Sequence, residues 1–213
     1  MRKLLGLAVV GLLAFVMVVG LAGTARADII FTLGNHPQSD ESNILFGSPQ
    51  TGATITGEVE HTGIAVVFSS LTNQTLVQSA QGQADITGIT GAGETAQDVN
   101  LTSMQVTVPG YTFLDFILNL QNGTGTAQVV VTDNVGQPFT YALGNGQNYL
   151  TITTANGESI SEIQVTMLGG GSWDDFKQPR ISGVSAVPEP ASMLLLGTGL
   201  LGAGFFGRRK KKN

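Results

Sequence analysis

The stretch Ala53–Phe68, ATITGEVEHTGIAVVF, sets the fold because its residue types change with a period of two. Ile55, Val59 and His61 fall on one side, and Thr54, Thr56, Glu58 and Glu60 on the other. A strand turns successive side chains to opposite faces, so this is the pattern of a half-buried β-strand. The same reading extends outward to VNLTSMQVTV (99–108), FLDFILNL (113–120), GTAQVVVT (125–132), QPFTYAL (137–143), NYLTITT (148–154) and SISEIQVTM (159–167). Each is rich in Val, Ile, Thr and aromatic residues, which suit a pleated surface. Outside the termini no run of ten residues has a helical period.

Between these runs stand NGTG, DNVG, GNG, ANGE and GGGS, units that supply the positive φ of tight turns. Asp133 in TDNVG and Asn145 in GNGQN are explained by that turn chemistry. About eleven to thirteen short strands over residues 28–186 predict an antiparallel, jelly-roll-like β-sandwich. A β-solenoid is the competing architecture, but no fixed repeat period is visible. The chain has 213 residues and no cysteine, so a thiolate metal site and a disulfide framework are both excluded. A body of this size buries enough core to fold without either.

Both ends of the chain differ from this body. Arg2 and Lys3 precede an apolar run from Leu4 to Leu21, and Ala25-Arg26-Ala27 comes next as a small-x-small cleavage pattern. Residues 1–27 therefore predict a secretory signal peptide cut between Ala27 and Asp28, with an uncleaved anchor as the alternative. From Ala191 to Gly207 no residue is charged, and Arg208, Arg209, Lys210, Lys211 and Lys212 come directly after. Such a run with its flanks is about long enough for one transmembrane helix, and the basic cluster would stop transfer on the cytoplasmic side. Five clustered cations also suit an anionic inner leaflet. Gly199, Ala203 and Gly207 make a small-xxx-small stripe, either a helix-packing face or ordinary glycine usage in a span. Between Asp28 and Ala186 there are fourteen Asp or Glu against Lys177 and Arg180 alone, a balance of 2 minus 14, or −12. With no basic patch to release counterions from phosphates, nucleic acid is excluded as a partner, while a divalent cation has carboxylates to meet.

Val187-Pro188-Glu189-Pro190 stands immediately before the apolar run, and its prolines keep the backbone extended and stop helix from running upstream. V-P-E-P, an apolar Gly-rich segment and an Arg/Lys cluster over residues 187–213 together resemble the PEP-CTERM protein-sorting signal of Gram-negative bacteria. The same module also carries the label of an ice-binding protein C-terminal domain. The resemblance implies a membrane-anchored intermediate that an exosortase, a transpeptidase-like membrane enzyme, cleaves near Pro-Glu-Pro and passes outward, usually in organisms that make exopolysaccharide. A plain single-pass anchor with a Pro-Glu-Pro stalk is the alternative. The segment from Phe113 to Val184 is similar to the β-sandwich bodies of many such proteins, which end in a strand like Asp175-x-x-Gln178-x-Arg180-Ile181-Ser182-Gly183. That likeness implies no activity.

Several groupings in the body invite a chemical reading. Gly91-x-Gly93-x-x-Ala96 has the outline of a dinucleotide fingerprint, but the residues after it alternate as strand and open no helix. No G-x-x-x-x-G-K, G-x-S-x-G or H-E-x-x-H occurs. His36 and His61 are the two histidines and lack ligand spacing, so half-buried or surface imidazoles are expected and no metal centre. Glu58 and Glu60, at i and i+2 on one strand face, would lie roughly 7 Å apart, near the separation of inverting glycosidase carboxylates. Solvated carboxylates are the plainer account, since catalysis needs a cleft and one raised pKa. GGGSWDDFKQPR joins the one tryptophan, two adjacent carboxylates and both basic residues of the body. Trp173 could stack on a sugar while Asp174 and Asp175 accept hydroxyl hydrogen bonds or hold calcium. Alternatively, Trp173 packs on the sandwich and the two Asp residues pair with Lys177 and Arg180. Thr151 and Thr153 resemble a fragment of an ice-binding array, without the aligned repeats that such an array needs. The resulting expectation is an exported surface or matrix protein with a structural or adhesive role, no catalytic residues and no cofactor. A calcium-assisted carbohydrate-binding module is the rival, and exopolysaccharide the expected surrounding.

Overall fold

In the computed structural model, which describes residues 29–90, 97–132, 138–155 and 158–187, the period-two stretch forms two antiparallel strands. Ile55, Gly57 and Val59 turn inward, and Thr54 and Glu58 are exposed. His61 departs from the inward face expected of it. The strand ends at Val59, whose carbonyl accepts from the N–H groups of Thr62 and Gly63 at 3.2 and 3.0 Å, and this turn leaves His61 exposed at φ +70°.

Nineteen strands lie among the described residues. In chain order they are β1 Ile29–Leu33, β2 Ser42–Phe46, β3 Gln50–Gly52, β4 Thr54–Val59, β5 Ala65–Ser69, β6 Thr75–Gln78, β7 Gly82–Gln83, β8 Asp85–Thr90, β9 Gln97–Val99 and β10 Ser103–Thr107. The second half holds β11 Tyr111–Thr112, β12 Asp115–Gln121, β13 Thr124–Thr132, β14 Phe139–Leu143, β15 Tyr149–Thr154, β16 Glu162–Ser172, β17 Asp175–Lys177, β18 Arg180–Ser182 and β19 Ser185–Ala186. Every pairing between them is antiparallel, which a parallel solenoid does not give.

One sheet runs β1-β15-β12, continues through β17 and β18 on the far side of β12, and extends from β17 to β8, β6 and β3. The other runs β14-β13-β16-β10-β5-β4-β2-β7. β2 belongs to both, since Ser42 and Asn43 pair with β18 while Ile44 and Leu45 pair with β4. Between the sheets, Phe68 lies 6.0 Å from Phe46 and 5.8 Å from Phe176, centroid to centroid. Phe31 stacks on Phe139 at 4.7 Å. Of the places where the chain changes sheets, the steps from β9 to β10 and from β16 to β17 are fastened together by a bridge between Leu101 and Trp173.

Two expectations change at this level. GGGS does not turn the chain between strands. Gly169 and Gly170, at φ +65° and +82°, form a bulge inside β16, where the register with β13 shifts between Thr124 and Thr126. The β13 side of that shift spans two residues and the β16 side four, from Leu168 to Ser172, so the extra glycines bend the strand toward the crossing. The closing strand of the expected Asp175–Gly183 pattern is likewise divided. Gln178 at φ +48° separates β17 from β18, and both lie along β12 with a one-residue change of register.

β12 is buried at five successive positions rather than on alternate ones. Its outer face is covered by the segment after β1. There the His36 N–H donates to Thr151 Oγ1 at 3.0 Å, and Thr151 Oγ1 donates to the Gly34 carbonyl at 2.9 Å. Among the described residues no helix is long and apolar enough to cross a membrane. The expected signal peptide with Ala25, Ala27 and Asp28, the fingerprint-like Gly91, Gly93 and Ala96, Asp133, and the apolar and basic tail through Arg208–Lys212 lie outside the described residues.

Candidate functional site

GGGSWDDFKQPR spans the crossing from β16 to β17, and its side chains divide between core and surface. Trp173 has no exposed surface. Its N–H donates to the Leu101 carbonyl at 3.0 Å and its carbonyl accepts from Leu101 N–H at 2.7 Å, so its backbone is held on both sides while its ring enters the core. The indole therefore offers no face to a sugar, which corrects the stacking role expected of Trp173 beside Asp174 and Asp175. An apolar ring placed just after a glycine bulge is drawn inward because the bend points it at the space between the sheets.

The carboxylates stay outside that core. Asp174 N–H donates to the Gln121 carbonyl at 2.9 Å. Lys177 Nζ sits between two carboxylates, 3.3 Å from Asp85 Oδ2 and 3.4 Å from Asp175 Oδ2. Burial holds the Asp175 carboxyl above its ordinary range, against the pull of the Lys177 charge. Burial alone would lower the Lys177 ammonium, but the hydrogen bond to Asp85 and the charge of Asp175 outweigh it and raise the pKa. Among the described residues no group of three or more His, Cys, Asp or Glu is disposed to hold a metal ion.

Arg180 does not pair with Asp174 or Asp175. Its Nη1 lies 3.1 Å from Glu41 Oε2, and its Nη2 donates to Asn35 Oδ1. Glu41 is only 7% exposed, and its other oxygen accepts from Gln38 N–H at 2.9 Å. This set ties the segment between β1 and β2 down onto β18. Replacing Arg180 by methionine is expected to cost about 2 kcal/mol by stranding the Glu41 carboxylate, less than the roughly 3–5 kcal/mol of a fully buried pair because the arginine is partly solvated. Adding Glu41→Gln should recover part of the loss in a urea titration. A single variant as stable as the parent would show that the pair contributes nothing.

The remaining candidates do not converge. Glu58 is exposed at the end of β4, whereas Glu60 lies past that strand and accepts from Asn43 Nδ2 at 2.7 Å. The strand spacing expected of this pair therefore does not apply. His36 Nε2 lies 3.0 Å from the Leu33 carbonyl, a local contact of the same covering segment. Thr151 is fully buried beneath that segment, so Thr151 and Thr153 make no surface array. Burial pushes the Tyr141 phenol well above its ordinary value, as expected of a core residue. In GNGQN the residue at positive φ is Gly146, and Asn148 closes the loop rather than Asn145. Asn148 Nδ2 donates to the Leu120 and Gly144 carbonyls at 2.7 and 2.8 Å, and its Oδ1 accepts from Gly144 N–H at 2.8 Å.

The last described residues lie where the sequence places its sorting motif. Ser185 and Ala186 pair with Thr112 and Tyr111, and Val187 N–H donates to the Gly110 carbonyl at 3.0 Å. Pro188, Glu189 and Pro190 lie outside the described residues. The family model of the PEP-CTERM protein-sorting motif matches residues 186–211. The chain carries a PEP-CTERM sorting signal. This motif bears on how the C-terminus is handled, and it is consistent with an exported chain that is held at a membrane and processed by an exosortase. The ice-binding label gains nothing from the match. No curated protein and no solved structure matches the chain.

Proposed function

We propose that this is an exported PEP-CTERM protein whose β-sandwich body plays a structural or adhesive role at the cell surface or in a polysaccharide matrix. One observation carries the reading: the sorting-motif match begins at Ala186, the last residue of β19, so the matched segment follows directly on the last described strand of the body. In this reading residues 1–27 direct export and are removed before Asp28. The apolar segment from Ala191 to Gly207 then holds the chain in the inner membrane, with Arg208–Lys212 inside and the acidic body outside. An exosortase next cuts near Pro188–Pro190, where the prolines prevent helix from the membrane segment from extending upstream and leave an accessible strip of backbone. No catalytic residue is assigned to the body. Its contribution is a stable acidic surface presented beyond the membrane.

Intact-mass measurement of the protein from cells with and without the exosortase tests this. The expected mature chain starts at Asp28 and lacks the C-terminal peptide only where the enzyme is present. An intact tail in both strains would leave a plain anchor, and recovery of the body from cytosol would end the export reading.

A further inference from the structure

β1 and β14 are the outermost strands on one flank of the two sheets. Among the described residues β1 pairs only with β15, and β14 only with β13. The body has fourteen acidic and two basic residues between Asp28 and Ala186. None of them is in β1, β15, β13 or β14. Exposed strand edges are ordinarily protected by lysines, prolines, bulges or inward charges. β1, Ile-Ile-Phe-Thr-Leu, has none of these, and its register with β15 is unbroken from Ile29↔Thr154 to Leu33↔Leu150. Ile30 and Leu33 are 49% and 59% exposed.

The phase of the backbone shows what this edge can accept. Gly34 N–H donates to the Tyr149 carbonyl at 2.8 Å. In an antiparallel pair, residues bonded to the neighbour alternate with residues whose N–H and C=O point away. Counting back from Gly34, Thr32 and Ile30 bond to β15, while Ile29, Phe31 and Leu33 direct their groups to the open edge. The Leu33 carbonyl is met by His36 Nε2 at 3.0 Å, and among the described residues the other outward groups have no such cover. This arrangement is self-complementary. Two β1 strands set antiparallel about a two-fold axis at Phe31 pair Phe31 with Phe31 and Ile29 with Leu33, all residues whose groups face outward, and place Ile30 opposite Thr32.

We propose that the chain forms a homodimer through β1, joining the two β15-β1 edges into one continuous sheet. A second copy is the occupant because the outward groups of Ile29, Phe31 and Leu33 meet their own counterparts about the two-fold, the exposed Ile30 and Leu33 meet a like apolar edge, and no charged side chain of these four strands enters the contact to add to the repulsion between two acidic bodies. A basic partner strand would find no carboxylate on those strands. The pairing gives four backbone bonds, two between the Phe31 residues and one from each Leu33 N–H to the partner's Ile29 carbonyl.

The absence of cysteine makes the test direct. In the full chain carrying Ile30→Cys and Thr32→Cys, the two sulfurs of one copy lie on the same strand face, with Cα atoms roughly 7 Å apart, too far for a disulfide within the chain. Across the two-fold each faces its counterpart in a non-hydrogen-bonded pair about 4.5 Å apart, so mild oxidation is expected to give a disulfide-linked dimer. A single cysteine at Glu58 should give none. Leu33→Pro removes an outward N–H and spares the Gly34–Tyr149 bond, and is expected to weaken the dimer at least about tenfold in sedimentation of the full chain in detergent. A monomeric parent chain, an unlinked cysteine pair, or a dimer indifferent to a folded Leu33→Pro variant would each overturn the proposal. If that variant fails to fold, the cysteine pair decides alone.

Discussion

Trp173→Ala is expected to destabilise the body by about 3–5 kcal/mol, the usual cost of truncating a fully buried aromatic. Its thermal midpoint should fall by roughly 10 °C. Trp173 sits at the crossing from β16 to β17 with no exposed surface, and its backbone is tied to Leu101 by two hydrogen bonds. Removing the ring opens a cavity where the two sheets are joined, a place that cannot close without moving both crossings. Among the described residues the indole N–H has no hydrogen-bond partner, so Trp173→Phe loses volume without losing a bond and should cost less than the alanine variant. Equilibrium urea unfolding followed by circular dichroism measures both. An alanine variant with the parent's midpoint would mean that the ring is not in the core. Because this is the only tryptophan, the fluorescence of the parent should stay unmoved by calcium or oligosaccharides and change only on unfolding.

Gly171→Val is expected to cost about 3 kcal/mol, the upper end of the usual range for overpacking. A Cβ at this position would lie 2.4 Å from the Thr124 carbonyl oxygen, 2.6 Å from Met167 Cε and 3.2 Å from Gly125 Cα. The methionine tip can swing aside, but the carbonyl and Cα belong to the facing strand, so relief requires β13 and β16 to separate at the bulge. At Gly169 and Gly170 nothing crowds a Cβ, and the objection to a side chain is their positive φ alone. The sharper loss at Gly171 than at Gly170→Ala is the comparison that checks the argument. Equal losses at both positions would show that backbone conformation, not close strand approach, limits this segment.

How far the sequence could be read varied with the range of the interaction. Alternation marked Ile55 and Val59 as inward and Glu58 as outward because side-chain direction in a strand depends only on immediate neighbours. It failed at His61, where a turn closed by Thr62 and Gly63 ended the strand two residues early. It also failed at β12, whose second face looked free until the segment from Gly34 covered it. The signals for that cover lie far apart: His36 reaches Thr151 across 115 positions, and Asn35 reaches Arg180 across 145. The three glycines before Trp173 are equally compatible with a hairpin turn and with a bulge, and only the extent of pairing between β13 and β16 distinguishes them.

Local order in the residues was enough to establish an all-β body and a sorting motif beginning at its last strand, since periodicity and contiguous motifs are properties of neighbours along the chain. The inward ring of Trp173, the Lys177 bridge between Asp85 and Asp175, the arginine clamp on Glu41 and the open edge of β1 came from packing. Each depends on which distant segments meet, and that is set by burying one shared core between two sheets, a condition that no single stretch of residues contains.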